Sequence, residues 1–577
     1  MSRARRIALF VALTLSSLAI AAVGHDRYLA RGRTLYVLNH TGGPLRLSLD
    51  GRSVEVPPAA EPLTLSLAEG EHGVAVVDSA GASRELSLPI PGNAFERLLG
   101  GRVFVLNLGA AAPLEVETAS YGPDQIEAGG ARLLFGEALV LDRIDLAFAP
   151  LPGQGPRGEL VRLGVAKGAP AELLGSLPPG KRGAGALDYA AFHLQRGAPD
   201  PLLLGLLVET ARALGPSGRA RALACLRARL DERPVDVPWH RALQDLRRDA
   251  GEESVLRVEY AGRARAFPAD AALRALAARV AATPDEALAG YEAALALDPA
   301  EPWAHHGVGI HAFRRASFAL ARRHADLAAA ALPREAGAQN LRYQVRCAQG
   351  EWPALAAELE AARARQPLAL DLLLKLLEAR VAAGDAAGAR AAAQAFRQRV
   401  GERAPDDPRQ LGLLCELALA ELLGSWDGYE AKLAGLRDPE QRRRLRLEAA
   451  LDRGEGLAAA GEDAKSGPEV LLLALAWTLQ GDAAQAARWR GAAAERLAAG
   501  SQDERALAAV LAAAAPDPEA LRPLALAPDH KAAALLLLAL ERPALRAAAA
   551  GLARRYAFRR AFPGPLLARA LARAGAD

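Results

Sequence analysis

The chain's chemistry-bearing side chains are few, and the densest group is a set of four histidines: His305, His306, His311 and His324, with Asp326 close behind. Three imidazoles and a carboxylate that converge bind zinc or copper. One helical face requires i, i+3 or i+4 spacing, which neither 305 to 311 nor 306 to 311 supplies, so packing or lining of a surface is the expected role and no metal site is assigned. Cys225, Cys347 and Cys415 stand far apart in apolar stretches and read as small core residues, not as a disulfide framework. The chain contains no Gly-x4-Gly-Lys-Ser/Thr phosphate loop, no dinucleotide-binding glycine fingerprint, no His-Glu-x-x-His and no Gly-x-Ser-x-Gly elbow. The expectation is a protein that is not an enzyme, with no catalytic residue, no cofactor and no apparent small-molecule substrate.

The elements that carry these residues are marked by proline. Pro234, Pro268, Pro299, Pro333 and Pro367 follow one another at separations of 34, 31, 34 and 34 residues. A period near 34 is the length of a helix-turn-helix unit that buries its apolar face only by stacking on neighbours. Within the unit that closes at Pro299, small Ala287 and Ala294 flank Tyr291, and Leu297-Asp298-Pro299 ends the helix. Glycine turns agree: Gly251, Gly350, Gly384 and, further on, Gly481 stand where a helix end needs positive φ. The unit 269–299 is three residues short, so its first helix or its turn is trimmed. In the next unit Trp303 and Gly307 fit one phase, while counting back from Pro333 selects Gly309.

These residues resemble the tetratricopeptide repeat (TPR) family. The resemblance implies an α-solenoid of helix hairpins over 187–404, with 405–577 as degenerate repeats or a helical cap. It also implies that the first helices of successive units line a groove for an extended or helical peptide. The repeat register places Arg241, Asp245 and Arg248 on that lining in one unit, Asn340 and Gln344 in another and Glu378 in a third, with apolar Leu207 and Ala382 at matching positions elsewhere.

Ahead of the helices the period changes. Residues 34–150 alternate as strands do: Leu45, Leu47 and Leu49 precede the hairpin pair Asp50-Gly51, and Leu63, Leu65 and Leu67 precede Glu69-Gly70. Leu35-Tyr36-Val37-Leu38-Asn39 reappears as Val103-Phe104-Val105-Leu106-Asn107, so the expectation is a duplicated, sandwich-like all-β domain. The first copy is similar in rhythm to β modules of the PEGA and carboxypeptidase-regulatory type. A Gly/Pro-rich linker at 151–186 separates it from the helices, with 159–165 as a last edge strand.

At the N-terminus, Arg3, Arg5 and Arg6 precede an uncharged run at 7–24. That run is longer than the usual ~7 to 15 residues of a signal-peptide core and just long enough to span a bilayer, which favours an uncleaved anchor in segment 1–33. Ala19-Ile20-Ala21 keeps a cleaved signal open. The expected placement is a single-pass membrane protein with its bulk outside the cytoplasm, or else a secreted or periplasmic one. The 71 basic and 67 acidic residues are balanced along the 577, which argues against a nucleic-acid partner. Arg442-Arg443-Arg444 with Arg446, and Arg554-Arg555 with Arg559-Arg560, read as solvated helix faces. The excess of arginine over lysine points to a GC-rich, bacterial genome, against which the glycosylation triplet Asn39-His40-Thr41 is discounted. Two functional readings follow: an anchored or exported TPR-like scaffold that binds a protein or peptide, or a glycan or envelope-polymer binder acting through the β domain with the helices as spacer. Tyr36, Phe95, Phe104, Tyr121, Phe135 and Phe148 are the rings available to the second.

Overall fold

The computed structural model describes residues 17, 23, 25, 28–59, 61–77, 83–92, 102–121, 126–150, 158–197, 200–403 and 408–575. Most of the apolar run 7–24, the small-x-small triplet, Phe95, Pro405 and the Gly/Pro cluster at 152–156 lie outside them. Among the described residues no helix is long and apolar enough to cross a membrane. The chain divides into two compact units, Met1–Leu256 and Arg257–Asp577.

The first unit opens with β strands whose alternation sorts them into sheets. β1 (Arg33–Leu38), β2 (Leu45–Leu49), β3 (Arg52–Val56), β4 (Leu63–Leu67), β5 (Gly70–Val77) and β6 (Ser83–Ile90) form the first copy of the repeat. β7 (Val103–Asn107), β8 (Leu114–Tyr121), β9 (Ile126–Leu134), β10 (Ala138–Leu141), β11 (Leu146–Ala147) and β12 (Gly158–Val165) form the second. One sheet runs β3-β2-β5-β6, another β11-β12-β8-β9, and a third, β10-β7-β1-β4, takes two strands from each copy. The strands that repeat in sequence meet in that shared sheet: β1 pairs parallel with β7, Leu35 opposite Phe104 and Val37 opposite Leu106. The two cores are shared between the copies: Leu35, Leu47, Val74 and Leu88 pack with Phe104 and Leu106, and Leu38 packs with Val105, Leu114, Leu141 and Leu163.

The duplication extends to the buried amides. Asn39 Nδ2 donates to the carbonyls of Gly43 (2.9 Å) and Val56 (2.8 Å), and its Oδ1 accepts from Thr41 N. Asn107 Nδ2 donates to Ala112 O (2.7 Å) and Gly136 O (3.0 Å), and its Oδ1 accepts from Ala112 N. Each amide ties a loop to the end of its strand, and the Asn39 nitrogen is fully engaged. The hairpin at Asp50-Gly51 is present, both residues at positive φ (50° and 82°), as a two-residue turn between twisted strands requires. One strand expectation changes. β12 is not an edge: it lies between β11 and β8 because Val161, Leu163 and Val165 turn one apolar face to the core beside Val116 and Leu114. The β region therefore reaches into the stretch that composition marks as linker.

Helices complete this unit: α1 (Pro170–Gly175), α2 (Ala184–Arg196), α3 (Pro201–Ala213), α4 (Gly215–Arg227) and α5 (Val237–Arg248), with α6 (Glu253–Ala266) crossing the division between units. The Asp200 carboxylate caps α3 by accepting from Leu202 N and Leu203 N, with Pro201 at the first helical position. Pro234 does not close a helix directly; it falls in the connection between α4 and α5.

In the second unit the hairpins are α7 (Ala271–Arg279) with α8 (Pro284–Leu297), α9 (Pro302–Arg314) with α10 (Phe318–Ala331), α11 (Ala336–Ala348) with α12 (Trp352–Arg365), and α13 (Leu370–Ala382) with α14 (Ala386–Arg403). The short unit is short because α7 has nine residues, against thirteen in α9, α11 and α13. Gly251, Gly350 and Gly384 turn at φ of 77°, 73° and 82°. Both glycines of the ambiguous phase are used. A Cβ on Gly309 would meet α10 of its own hairpin and Leu341, whereas one on Gly307 would lie 2.4–2.5 Å from the ring of Tyr291 in the preceding hairpin. Ala321, Ala325 and Ala328 on α10 are wholly buried, which lets the helices close up.

Beyond residue 407 come α15 (Pro408–Leu423), α16 (Tyr429–Ala434), α17 (Pro439–Arg453), α18 (Leu457–Asp463), α19 (Gly467–Gln480), α20 (Ala483–Ala498), α21 (Gln502–Ala512), α22 (Pro528–Glu541), α23 (Arg546–Tyr556) and α24 (Gly564–Arg573). Here packing differs. In α19 residues 470–476 and in α22 residues 531–539 are buried without interruption. Helices apolar all round belong at the centre of a core, not in a one-layer stack.

Candidate functional site: a helix face occupied by the chain's own C-terminus

The first helices of three hairpins meet a single segment from the end of the chain. The carbonyls that end α9 have no intrahelical donors, and the C-terminal helices supply them. Lys531 Nζ donates to Arg314 O (2.9 Å), as does Tyr556 Oη (2.7 Å). The Arg522 guanidinium donates to Arg315 O (2.7 Å from Nη2) and Arg555 Nη2 to Ala316 O (2.7 Å). Cations at a helix C-terminus also complement its dipole. Lys531 is 1% exposed, and burial, with Arg314 nearby, pushes its ammonium down to about 7.

The non-helical stretch between α23 and α24 then runs along the hairpins. Phe558 stacks edge-on with Phe313 (5.9 Å between centroids) and Phe318 (6.1 Å). Next to it Arg559 forms a two-pronged bond with Glu378 of α13, Nε to Oε1 at 2.7 Å and Nη2 to Oε2 at 3.0 Å. The same Oε1 accepts from the backbone N–H groups of Arg560 (3.1 Å) and Ala561 (3.3 Å), and Tyr343 Oη of α11 donates to Oε2. Glu378 is 3% exposed; burial alone would raise its pKa, but the Arg559 charge and these bonds overcome that and hold the carboxyl below its ordinary value.

The position expected to line an open groove is therefore already engaged, and Glu378 is corrected from a partner-facing to an internally clamped residue. The Arg554-Arg555 and Arg559-Arg560 run is solvated in part: Arg554, Arg555 and Arg560 are exposed, Arg555 also bonding Ala316 O, and only half-buried Arg559 is corrected to an internal partner of Glu378. On α11, Asn340 is exposed and Gln344 half-buried, and neither side chain hydrogen-bonds within the described residues. Arg241, Asp245 and Arg248 sit on α5 in the other unit, where Arg248 lies 3.8 Å from Asp245.

The four histidines do not converge. His305 Nδ1 faces His324 Nδ1 at 2.9 Å while its Nε2 meets Pro299 O. His306 lies edge-on to Trp303, and His311 packs near Tyr291, where burial lowers its imidazole to about 4. Asp326 is held by Arg322 and Arg342. Burial raises the thiols of Cys225, Cys347 and Cys415 to about 11, 12 and 11. Of the β-domain rings, Tyr36 packs on Phe148, Phe135 on Tyr189, and Phe104 is 1% exposed, so these four do not form a stacking platform.

The hairpins are TPR-like. No family model matches the chain, and no curated protein does. A solved tetratricopeptide repeat protein from Parabacteroides merdae matches at 15% identity and a TM-score of 0.26, covering 42% of this chain and 96% of its own. A likeness at that level carries no argument, and the description rests on the hairpin lengths, the glycine turns and the small-residue contacts. Sequence reasoning did not find Phe558 and Arg559 as site residues. The available signal was an aromatic-basic triplet, Phe558-Arg559-Arg560, between two helices and ahead of Pro563.

Proposed function

We propose that this protein is an exported or membrane-anchored, non-catalytic scaffold whose TPR-like helices bind a protein partner. The observation that carries the reading is the grip on 558–561. One face of α9, α11 and α13 holds a non-helical segment through an aromatic pocket, a bidentate carboxylate and backbone N–H bonds, the kind of contact by which helical repeats hold peptides. Because that part of the face is filled from within, the partner uses neighbouring positions, and Asn340 and Gln344 on α11 are the polar side chains left open there. The N-terminal uncharged run supports anchoring or export.

The test is affinity purification of the tagged full chain from its own cells after cross-linking, alongside a variant carrying Asn340→Arg and Gln344→Arg. A protein recovered with the wild type and lost with the variant supports the reading. Recovery of no protein, or equal recovery with both, would count against it.

A further inference from the structure

A second concavity lies wholly within the first unit. It is a cleft of about 410 Å³ where loops and strand ends of the β domain meet α2 and α4. Five charged side chains line it: Arg84 and Glu137 from the β domain, Asp188 and Arg196 from α2, and Arg221 from α4. Four of them are matched. Arg84 pairs with Glu137, whose Oε1 also accepts from Gly109 N at 2.9 Å, and Arg221 Nη2 donates to both oxygens of Asp188 at 2.6 and 2.5 Å. Arg196 is not matched. Its guanidinium lies 4.3 Å from the centroid of the Phe192 ring and makes no ion pair with a described residue.

The wall thus carries one uncompensated positive charge, fixed in place by a ring that is itself buried. A guanidinium resting over an aromatic ring keeps N–H groups free to take a carboxylate in two parallel bonds. A dianion such as a phosphate monoester would bring a second negative charge toward Glu137 and Asp188, with no second free cation in the described lining to meet it. Around this point the lining is polar: Ser83 and Gln195 are exposed at the cleft, and carboxylate oxygens accept well from hydroxyl donors. The volume lies within the usual range of small-molecule sites, roughly 300–1,000 Å³.

We infer that this cleft binds a small polyhydroxylated monocarboxylate of the sugar-acid class, its carboxylate on Arg196 and its hydroxyls on the Asp188 and Glu137 side. This goes beyond the scaffold reading and does not depend on it, since the residues belong to the other unit and the ligand is not a protein.

Isothermal titration of the full-length chain with glucuronate and galacturonate tests it, with glucose as the neutral analogue and phenylacetate as the acid without hydroxyls. Saturable binding of at least one uronate, at least tenfold tighter than glucose or phenylacetate, is expected. Arg196→Gln should weaken it at least tenfold, while Arg227→Gln, an exposed α4 arginine outside the cleft, should leave it unchanged. Arg196 is exposed, so its loss spares the core, and an unchanged circular dichroism melt verifies that. The inference is overturned if neither uronate binds, if phenylacetate binds as well as the uronates, or if Arg196→Gln binds like the wild type.

Discussion

Removing the Glu378 carboxylate should release the C-terminal segment from the repeats. In Glu378→Ala, Arg559 keeps its charge without its partner, and the N–H groups of Arg560 and Ala561 lose their acceptor. Breaking one side of a buried ion pair costs about 3–5 kcal/mol because the survivor is left uncompensated. Arg559 is half-buried, which lets water recover part of that charge; the two orphaned N–H groups add about 1–3 kcal/mol each if they stay buried. The net expectation is about 3 kcal/mol, concentrated at the junction. Amide exchange of residues 557–562 should then accelerate by about a hundredfold, each 1.4 kcal/mol being a factor of ten. Hydrogen exchange with mass spectrometry reads this directly, and the urea midpoint of the second unit should fall with it. Glu378→Leu combined with Arg559→Leu should recover part of the loss, since no unpaired charge remains; the coupling between the two sites should be at least about 1 kcal/mol. Unchanged protection at 557–562 in Glu378→Ala would refute the clamp, and so would strict additivity of the two substitutions.

Stability should also depend on pH through the buried carboxylates of α15 and α17. Burial raises Glu421, Glu448 and Asp452 each to about 7. These are raised acids, so the folded state binds more protons than the unfolded chain. Their contribution is complete below about pH 4 and is lost as pH rises through 7, by at most about 3 to 4 kcal/mol per group. Thermal melts of the wild type should fall between pH 5 and 7, less steeply in Glu421→Gln; a flat profile over that window would contradict the burial argument. Above pH 7 the lowered Lys531 works in the opposite sense. In the hairpins, Gly307→Ala should destabilise by about 1–3 kcal/mol through overpacking against Tyr291. Gly350→Ala, which has open space but φ of 73°, should cost only about 1 kcal/mol. Equal melting losses for the two would undo the packing assignment.

Much of the fold was legible because it rests on local rules. The Asp50-Gly51 hairpin, the Asp200-Pro201 cap and the glycine turns at 251, 350 and 384 are each decided by a few adjacent residues. The duplication was visible as a repeated pentapeptide, although nothing local says that β1 and β7 pair with each other. The edge assignment of 159–165 failed because seven residues cannot reveal which strands will flank them. The site was legible only in part. Register counting put Glu378 on the correct helix, but its partner lies at 559, and an ion pair across 181 residues leaves no periodic trace. Arg559-Arg560 looked solvated because a short basic run usually is.

That long-range pair bears on how the array ends. A stack of hairpins leaves an apolar face bare at each terminus and needs a cap with a polar outer side. Here the C-terminal helices do more than cover an end. They build a core around α19 and α22, and from it they return Lys531, Arg555, Tyr556 and Arg559 to the first helices of hairpins more than 150 residues earlier in the chain. Those contacts hold α9 at its C-terminal carbonyls and α13 at its one buried carboxylate. Two hairpins, with the α11–α12 hairpin between them, are thereby pinned to a common support, which fixes their spacing. A scaffold gains from this: with less of the face free to move, a partner that binds the remaining positions on α11 meets side chains already in place and loses less freedom on ordering them.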